Sequence, residues 1–147
     1  GSGIPTGHPL DGVLENLDWF GKRFTPDLRA DALLFRSGEH SLISINPSRI
    51  PRGLAFLFHR VGRTRAARIL FRYLQCGLRA RGSVASLHII RFQDMMSAAM
   101  IYDKQPIVDH FRRIDEHRLM GAMTIKGDDR IYFFELAKVD QPSPPLR

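Results

Sequence analysis

The sequence contains very little cysteine, which limits how the fold can be held together. Cys76 is the single cysteine among 147 residues, so no disulfide can form within the chain. Small secreted domains usually depend on disulfides, and the start of the chain also lacks the charged and apolar regions of a signal peptide. We therefore expect a cytoplasmic protein in which Cys76, between Leu74 and Leu78, is a buried small hydrophobic residue.

Several sequence patterns that identify common protein classes are also missing. No apolar run approaches the ~20 residues that a membrane-spanning helix requires. The six histidines occur singly, without a His-x-x-x-His pair or a Cys-x-x-Cys, which argues against a structural zinc site. A phosphate-binding glycine loop, a nucleophile elbow and a dinucleotide fingerprint are absent as well. We expect no metal, no cofactor and no membrane span.

Acidic residues are fewer than basic ones, and the formal net charge is +7. Such a charge can attract nucleic acid, anionic lipid or acidic ligands, or it can simply keep the surface soluble. One face of a predicted helix carries Arg65, Arg68, Arg72 and Arg79, which could track phosphates or face solvent. No recognition helix, stacking aromatics or zinc finger accompanies these arginines, so nucleic-acid binding is the less favoured interpretation.

The first half of the chain predicts helices around a short hairpin. Apolar residues at helical spacing predict an amphipathic helix over residues 10–24. Two short β-favouring runs, over residues 32–36 and 42–46, predict a hairpin. Residues 53–81 have a helical pattern whose phase changes at Gly62, which predicts two helices or one kinked helix.

The second half of the chain has a β pattern. Five strands are predicted, over residues 84–93, 96–103, 107–115, 119–126 and 131–139, with short turn-rich joins. Consecutive strands with such joins pair antiparallel as a meander. The sheet either curls into a small barrel around a ligand or lays one face on two or three helices. The predicted fold is therefore α+β, one domain over residues 1–140 with a flexible tail over 141–147.

The densest group of chemically active side chains lies in the third predicted meander strand and the turn before it. Tyr102 and Asp103 open the turn, and alternation places Asp109, Phe111 and Arg113 on one strand face. An acid on a partly apolar face can have a raised pKa and transfer protons. Alternatively, Asp109 pairs with Arg113 across that face, and Asp103 only shapes the turn.

A second candidate lies at the predicted start of the first helix, in the sequence Thr6-Gly7-His8-Pro9-Leu10-Asp11-Gly12. His8 and Asp11 could form an acid/base pair there, beside helix-terminal amides that stabilise an oxygen anion. Ordinary helix capping explains the same residues.

Two blocks of the chain resemble the GXWXG protein family. The first is Gly3-Ile4-Pro5-Thr6-Gly7-His8-Pro9-Leu10-Asp11-Gly12 followed by Trp19-Phe20-Gly21-Lys22-Arg23-Phe24, within residues 1–60. The second runs from Tyr102-Asp103-Lys104-Gln105-Pro106 through Met120-Gly121 and resembles the domain of unknown function that follows in this family, over residues 84–140. The tryptophan of the GXWXG motif itself would precede Gly1.

The resemblance implies cofactor-free terpenoid chemistry, as in a lyase that opens the epoxide and bicyclic skeleton of α-pinene oxide. Epoxide opening by a lyase or isomerase needs an acid, a base and an apolar pocket that excludes water. The candidate catalytic residues are His8, Asp103 and Asp109. Ring faces can shield a carbocation, and the residues expected to bind substrate are Trp19, Phe20, Tyr102, Phe111 and Arg113.

Other functions fit the same sequence. The chain could carry a small hydrophobic molecule without changing it, or bind nucleic acid through its arginine-rich helix. The substrate and the oligomeric state, a homo-oligomer included, do not follow from the sequence.

Overall fold

The computed structural model describes residues 1–139, so the tail predicted over 141–147 lies outside the described residues. Within the described range the strands are β1 Ser2–Gly3, β2 Trp19–Phe24, β3 Arg29–Arg36, β4 Leu42–Ser44, β5 Ala85–Phe92, β6 Met95–Tyr102, β7 Ile107–Arg113, β8 Arg118–Ile125 and β9 Asp128–Ala137. The α-helices are α1 Val13–Asn16, α2 Arg52–Val61 and α3 Arg65–Leu78, and a 3₁₀ turn covers Pro47–Arg49.

The strands form an antiparallel meander that is curled into a nearly closed barrel. Neighbouring strands follow the order β1-β9-β8-β7-β6-β5-β3-β2, and β4 pairs with β3. The backbone nitrogen of Gly1 donates a hydrogen bond to the carbonyl of Phe20, which links β1 at one end of this order to β2 at the other. The predicted meander is confirmed, and the fold is a mostly β version of the predicted α+β class.

The helix predicted over residues 10–24 is wrong for most of its length. Only Val13–Asn16 is α-helical, and Trp19–Phe24 is strand β2, which pairs antiparallel with β3. Asp18 lies between them with a φ of 63°, a left-handed conformation that ends the helix. Pairing with β3 satisfies the backbone groups of these residues and buries Trp19, so tertiary contacts override the helical spacing.

The two helices predicted over residues 53–81 are confirmed as α2 and α3. The side chain of Thr64 caps α3 by accepting a hydrogen bond from the backbone of Ala67. Phe58 of α2 and Phe71 of α3 are buried with their ring centroids 5.8 Å apart, so both helices pack on one core. Cys76 is exposed on α3, so its predicted burial is wrong. No helix among residues 1–139 is long and apolar enough to cross a membrane.

Alternate residues of the meander strands point into the barrel and fill it. Asp109 and Phe111 of β7 are both buried there, in agreement with their predicted shared face. Strand β7 ends at Arg113, so Asp115, predicted as part of this strand, belongs to the following turn. Gly121 of β8 lies against the ring of Phe134, and a Cβ atom at Gly121 would be 2.2 Å from that ring. The barrel is therefore tightly packed around Phe134.

Candidate active site

A buried ion pair lies inside the barrel. The ammonium nitrogen Nζ of Lys22, on β2, is 2.8 Å from the carboxylate oxygen Oδ2 of Asp109, on β7. Their side chains are 3% and 0% exposed, respectively. Removing two charges from water is costly and is tolerated only when each charge is paired and hydrogen-bonded. A buried ion pair often adds little to stability compared with apolar residues of the same size. Its presence here therefore makes it a candidate for a functional role.

Further acceptors surround the Lys22 ammonium. Nζ donates hydrogen bonds to the carbonyl oxygen of Ala32 at 3.0 Å and to the hydroxyl oxygen of Tyr102 at 3.4 Å. The Tyr102 hydroxyl in turn donates to Asp109 Oδ2 at 3.3 Å. Lys22, Tyr102 and Asp109 therefore form one connected polar network in an apolar interior.

Tyr102 stays protonated in this network. Burial raises the pKa of the Tyr102 hydroxyl well above its usual value, and the negative charge of Asp109 raises it further. A neutral phenol can donate a hydrogen bond to the carboxylate and accept one from the ammonium. Tyr102 therefore holds the pair in position.

Aromatic rings enclose the ammonium. Nζ of Lys22 lies 5.0 Å from the ring centroid of Phe134, 5.6 Å from that of Trp19 and 5.8 Å from that of Tyr102. Cations at such distances are attracted by the negative ring faces. Phe111 packs edge-on against Phe134, with ring centroids 6.2 Å apart, and extends the aromatic wall. This environment favours positive charge, whether on Lys22 or on a bound molecule.

A cavity of about 470 Å³ opens at the end of the barrel where β2, β7 and β9 end and β8 begins. Lys22 lines it together with apolar side chains that include Phe24, Leu119 and Leu136. Charged residues of the turn between β7 and β8 lie at its rim. The volume falls within the range of ligand pockets, roughly 300–1,000 Å³. A small apolar molecule could therefore bind beside the residue that carries the buried ammonium.

A second cavity, of about 530 Å³, adjoins the first. Phe24, Arg113 and Leu119 line both cavities, and Met95 and Met96 form part of the second wall. The ring of Phe24 meets that of Phe111 edge-on, with centroids 5.6 Å apart. Phe24 is therefore shared by two cavities at this end of the barrel.

One atom of the buried network lacks a hydrogen-bond partner within the described part of the protein. Among residues 1–139, Asp109 Oδ1 has no hydrogen-bond partner in the protein, although Oδ2 of the same carboxylate has two donors. The indole nitrogen of Trp19 and the hydroxyl of Tyr132, both buried, are likewise unpartnered. Buried polar atoms without partners are uncommon in proteins and often mark functional sites.

His8 lies away from the ion pair, on a different part of the core. Its ring packs at 5.4 Å from that of Tyr132, and its Nδ1 atom accepts a hydrogen bond from the backbone of Leu10. Burial, followed by the charge of Arg130, lowers the pKa of His8. Asp11 accepts hydrogen bonds from the backbone of residues 6–8, so it shapes this loop and does not pair with the His8 ring.

Asp103 is held at the surface by an arginine. Its carboxylate forms a two-point ion pair with Arg29, including a 2.9 Å contact between Arg29 Nη1 and Asp103 Oδ1. This hydrogen bond to Arg29 lowers the pKa of Asp103. Asp103 directly follows Tyr102 in the chain, but its carboxylate pairs with Arg29 and does not join the buried network around Asp109.

The two remaining predicted binding residues lie at the first cavity. Phe20 and Arg113 both line it. The guanidinium of Arg36 stacks over the Phe20 ring at 5.0 Å, and Arg113 donates a hydrogen bond to the carbonyl of Asp115. Arg113 does not pair with Asp109, whose partner is Lys22.

Lys22 was missed by sequence reasoning. A lysine in a predicted amphipathic helix is normally exposed, and nothing local in Gly21-Lys22-Arg23 indicates burial. A strand assignment for residues 19–24 would have placed Lys22 within a run of aromatic residues. Within the described residues, no group of three or more histidine, cysteine, aspartate or glutamate side chains is placed to hold a metal ion.

Comparisons with known proteins agree with this architecture. Residues 1–39 match the family model described as GXWXG protein, and residues 83–138 match that of a domain of unknown function, DUF4334. A solved structure, described as the crystal structure of a protein from Thermomonospora curvata, is 31% identical with a TM-score of 0.62, over 92% of this chain and 69% of that one. No curated protein matches the chain. The chain therefore belongs to the GXWXG protein family, and its DUF4334 region supplies the meander that carries Asp109.

Proposed function

We propose that this protein is a cofactor-independent lyase or isomerase that opens a small apolar substrate of the terpenoid-epoxide type by proton transfer. The observation that carries the proposal is the buried Lys22–Asp109 pair, whose Lys22 lines a cavity at the barrel end. Acid, base and dry pocket are the three requirements of such a reaction.

Lys22 is the proposed acid. An epoxide oxygen that enters from the cavity would accept a hydrogen bond from the ammonium in place of the Tyr102 hydroxyl. That contact, at 3.4 Å, is the longest of the three that Nζ makes, so it is lost at the least cost. Transfer of the proton to the oxygen accompanies cleavage of the carbon–oxygen bond and leaves a carbocation on the substrate.

Asp109 is the proposed base. Its unpartnered Oδ1 would take a proton from a carbon next to the cation, which converts the substrate into an isomer of the same composition. Asp109 then returns the proton to the neutral Lys22 amine, 2.8 Å away. One proton is given and one is recovered in each cycle, so no cofactor or co-substrate is consumed.

The aromatic wall supports the same assignment. The rings of Trp19 and Phe134 already face the Lys22 ammonium. As the proton leaves Lys22, positive charge moves from the nitrogen to the substrate, and the same ring faces would then stabilise the carbocation. Phe111, Phe20 and Tyr102 complete the proposed binding surface, with Arg113 at the rim.

The other two acid candidates are less suited to donating a proton. The pKa of Asp103 is lowered by Arg29, so its carboxyl is ionised at neutral pH. The pKa of His8 is lowered by burial, so its ring is neutral there. The proposal therefore centres on Asp109 and Lys22, and keeps His8 and Asp103 as variants to be measured.

Turnover of α-pinene oxide, followed by gas chromatography of substrate and products, tests the proposal. We expect Lys22→Arg, Lys22→Met and Asp109→Asn each to lower kcat by 10²-fold or more, about the contribution of general acid–base catalysis. Lys22→Arg keeps the charge and the ion pair but cannot release a proton. If Lys22→Arg is inactive, the loss of activity cannot be due to loss of the positive charge and is due to loss of the transferable proton.

The controls replace exposed residues of the same types. Lys126 and Asp129 are exposed to solvent and do not belong to the buried network. Lys126→Met and Asp129→Asn should therefore leave kcat unchanged. Wild-type rates in both Lys22→Arg and Asp109→Asn, with His8→Ala or Asp103→Asn inactive, would remove the ion pair from the mechanism. Stoichiometric binding of terpenoids without turnover would instead identify a carrier and reject catalysis.

A further inference from the structure

The middle of the chain has an extreme charge distribution. Between Glu39 and Asp94 the sequence contains no acidic residue and no lysine. It contains ten arginines, namely Arg49, Arg52, Arg60, Arg63, Arg65, Arg68, Arg72, Arg79, Arg81 and Arg91. This segment includes both long helices, α2 and α3. The helical layer therefore supplies much of the positive charge of the protein.

The same two helices expose large apolar side chains on the face that points away from the core. Helix α3 buries Ala67, Phe71, Gln75 and Leu78, yet Ile69 and Tyr73 on its other side are 69% and 88% exposed. Helix α2 buries Phe58, while Phe56 is 66% exposed. We call the exposed set the outer helical face; it comprises Phe56, Leu57, Arg60, Arg65, Ile69, Leu70 and Tyr73.

Arginines flank these apolar residues without being neutralised. The guanidinium of Arg60 lies over the Phe56 ring at 5.9 Å. In the described part of the chain, neither Arg60 nor Arg65 has a carboxylate within ion-pair distance, whereas Arg68 and Arg72 share Asp18. A helix that is apolar on both sides normally has both sides covered, so the outer helical face calls for a partner.

We propose that the outer helical face binds the surface of an anionic lipid bilayer. Arginines attract the anionic headgroups, and aromatic and aliphatic side chains on the same face enter the boundary between headgroups and acyl chains. Helices α2 and α3 would lie in the plane of the interface and would not cross it. This proposal is independent of the proposed reaction, because lipid binding requires neither Lys22 nor Asp109.

Two other occupants fit the face less well. In a symmetric dimer formed through it, the same patch meets itself, so the unpaired arginines of two copies would be brought together without acids to offset them. Nucleic acid would satisfy the arginines, but phosphate contacts do not cover exposed Ile69 and Phe56, and no stacking array accompanies them. A lipid surface would both pair its anionic headgroups with the arginines and cover the exposed apolar side chains.

Vesicle flotation tests the proposal with the whole protein and two lipid compositions. We expect at least tenfold stronger binding to vesicles with 30% phosphatidylserine in phosphatidylcholine than to pure phosphatidylcholine, and a steep decrease as salt is raised from 50 to 500 mM. Ile69→Ser/Tyr73→Ser and Arg60→Gln/Arg65→Gln should each weaken binding more than fivefold. Ile89→Ser and Arg91→Gln, exposed on β5 outside the helical layer, are matched controls.

Circular dichroism of each variant confirms that it is folded before the vesicle data are compared. Equal binding to both lipid compositions, or none to either, would overturn the proposal. The proposal would also be overturned if Ile69→Ser/Tyr73→Ser left vesicle binding intact while a labelled DNA or RNA strand displaced the protein from the vesicles. That result would point to nucleic acid as the partner. Concentration-dependent dimerisation abolished by the same variant, without vesicle binding, would assign the face to a second copy.

Discussion

Asp109 lies opposite Lys22 inside the barrel, so that a strand of the DUF4334 region supplies the counter-ion of a strand from the GXWXG region. The two family regions are therefore joined by an ion pair in the protein interior as well as by backbone pairing between β3 and β5.

Removing one partner of this pair should destabilise the protein more than removing both. Lys22→Met or Asp109→Leu alone leaves a buried charge uncompensated and is expected to cost about 3–5 kcal/mol in the free energy of unfolding. The double variant Lys22→Met/Asp109→Leu should recover a large part of that loss. Urea denaturation of the wild type and the three variants measures the coupling. Additive losses would show that the two charges do not interact.

Gly121→Ala should disturb the aromatic wall. A Cβ atom at this position would overlap the Phe134 ring, which must then move within a packed core, at an expected cost of about 1–3 kcal/mol. Gly77→Ala is the control, because Gly77 is exposed in α3 and its added Cβ meets no atom within 4 Å. That substitution should stabilise the protein by about 0.5–1 kcal/mol. Thermal denaturation of both variants decides between these expectations.

Two buried histidines should make the protein less stable at mildly acidic pH. Burial lowers the pKa of His8 and of His110. Below the unfolded-state pKa of about 6.5, the unfolded chain takes up protons first, so stability is full above that pH and decreases as pH falls through it.

The free energy of unfolding measured between pH 7.5 and pH 5 tests this sign. A His8→Asn/His110→Gln variant should show a flatter pH dependence than the wild type, whereas His40→Gln, at an exposed position, should not. A wild-type stability that rises on acidification over this range would contradict the prediction.

Asp31→Asn should stabilise the protein at neutral pH. Burial raises the pKa of the Asp31 carboxyl despite the opposing charge of Arg23, so the ionised form is unfavourable in the folded protein. The advantage of asparagine should be greatest above the folded-state pKa and should vanish as pH falls below the unfolded value of about 3.9. Asp129→Asn, at an exposed position, serves as the comparison in pH-dependent denaturation. An equal effect of both substitutions would rule out burial as the cause.

The meander was predictable because its signals are local. Alternation within each strand and short turns between strands together fix antiparallel pairing, and both lie within a few residues of each other in sequence. The same alternation places Asp109 and Phe111 on one face of β7, but it does not say which face is inward, and His110 on the opposite face is buried as well. The helices α2 and α3 were equally accessible, because the phase of their apolar residues changes at Gly62.

Strand β2, which carries Lys22, was not predictable from local signals. Residues 10–24 carry helical spacing, and only the left-handed backbone at Asp18 together with pairing to β3 makes Trp19–Phe24 extended. The partner of Asp109 was missed for the same reason, since an ion pair across the barrel depends on the closure of the sheet and has no local pattern. Burial of a lysine is a property of the whole fold.

The barrel is closed by its shortest strand. Strand β1 is two residues long and pairs with β9, and Gly1 makes the connection to β2. Within the chain, the join between β3 and β5 has two residue pairs, against eight between β5 and β6, so local opening should begin at such a short join and not between the long strands. Gly1 and Phe20 also line the cavity beside Lys22, so the place where the two ends of the strand order meet forms part of the wall that an apolar molecule would contact.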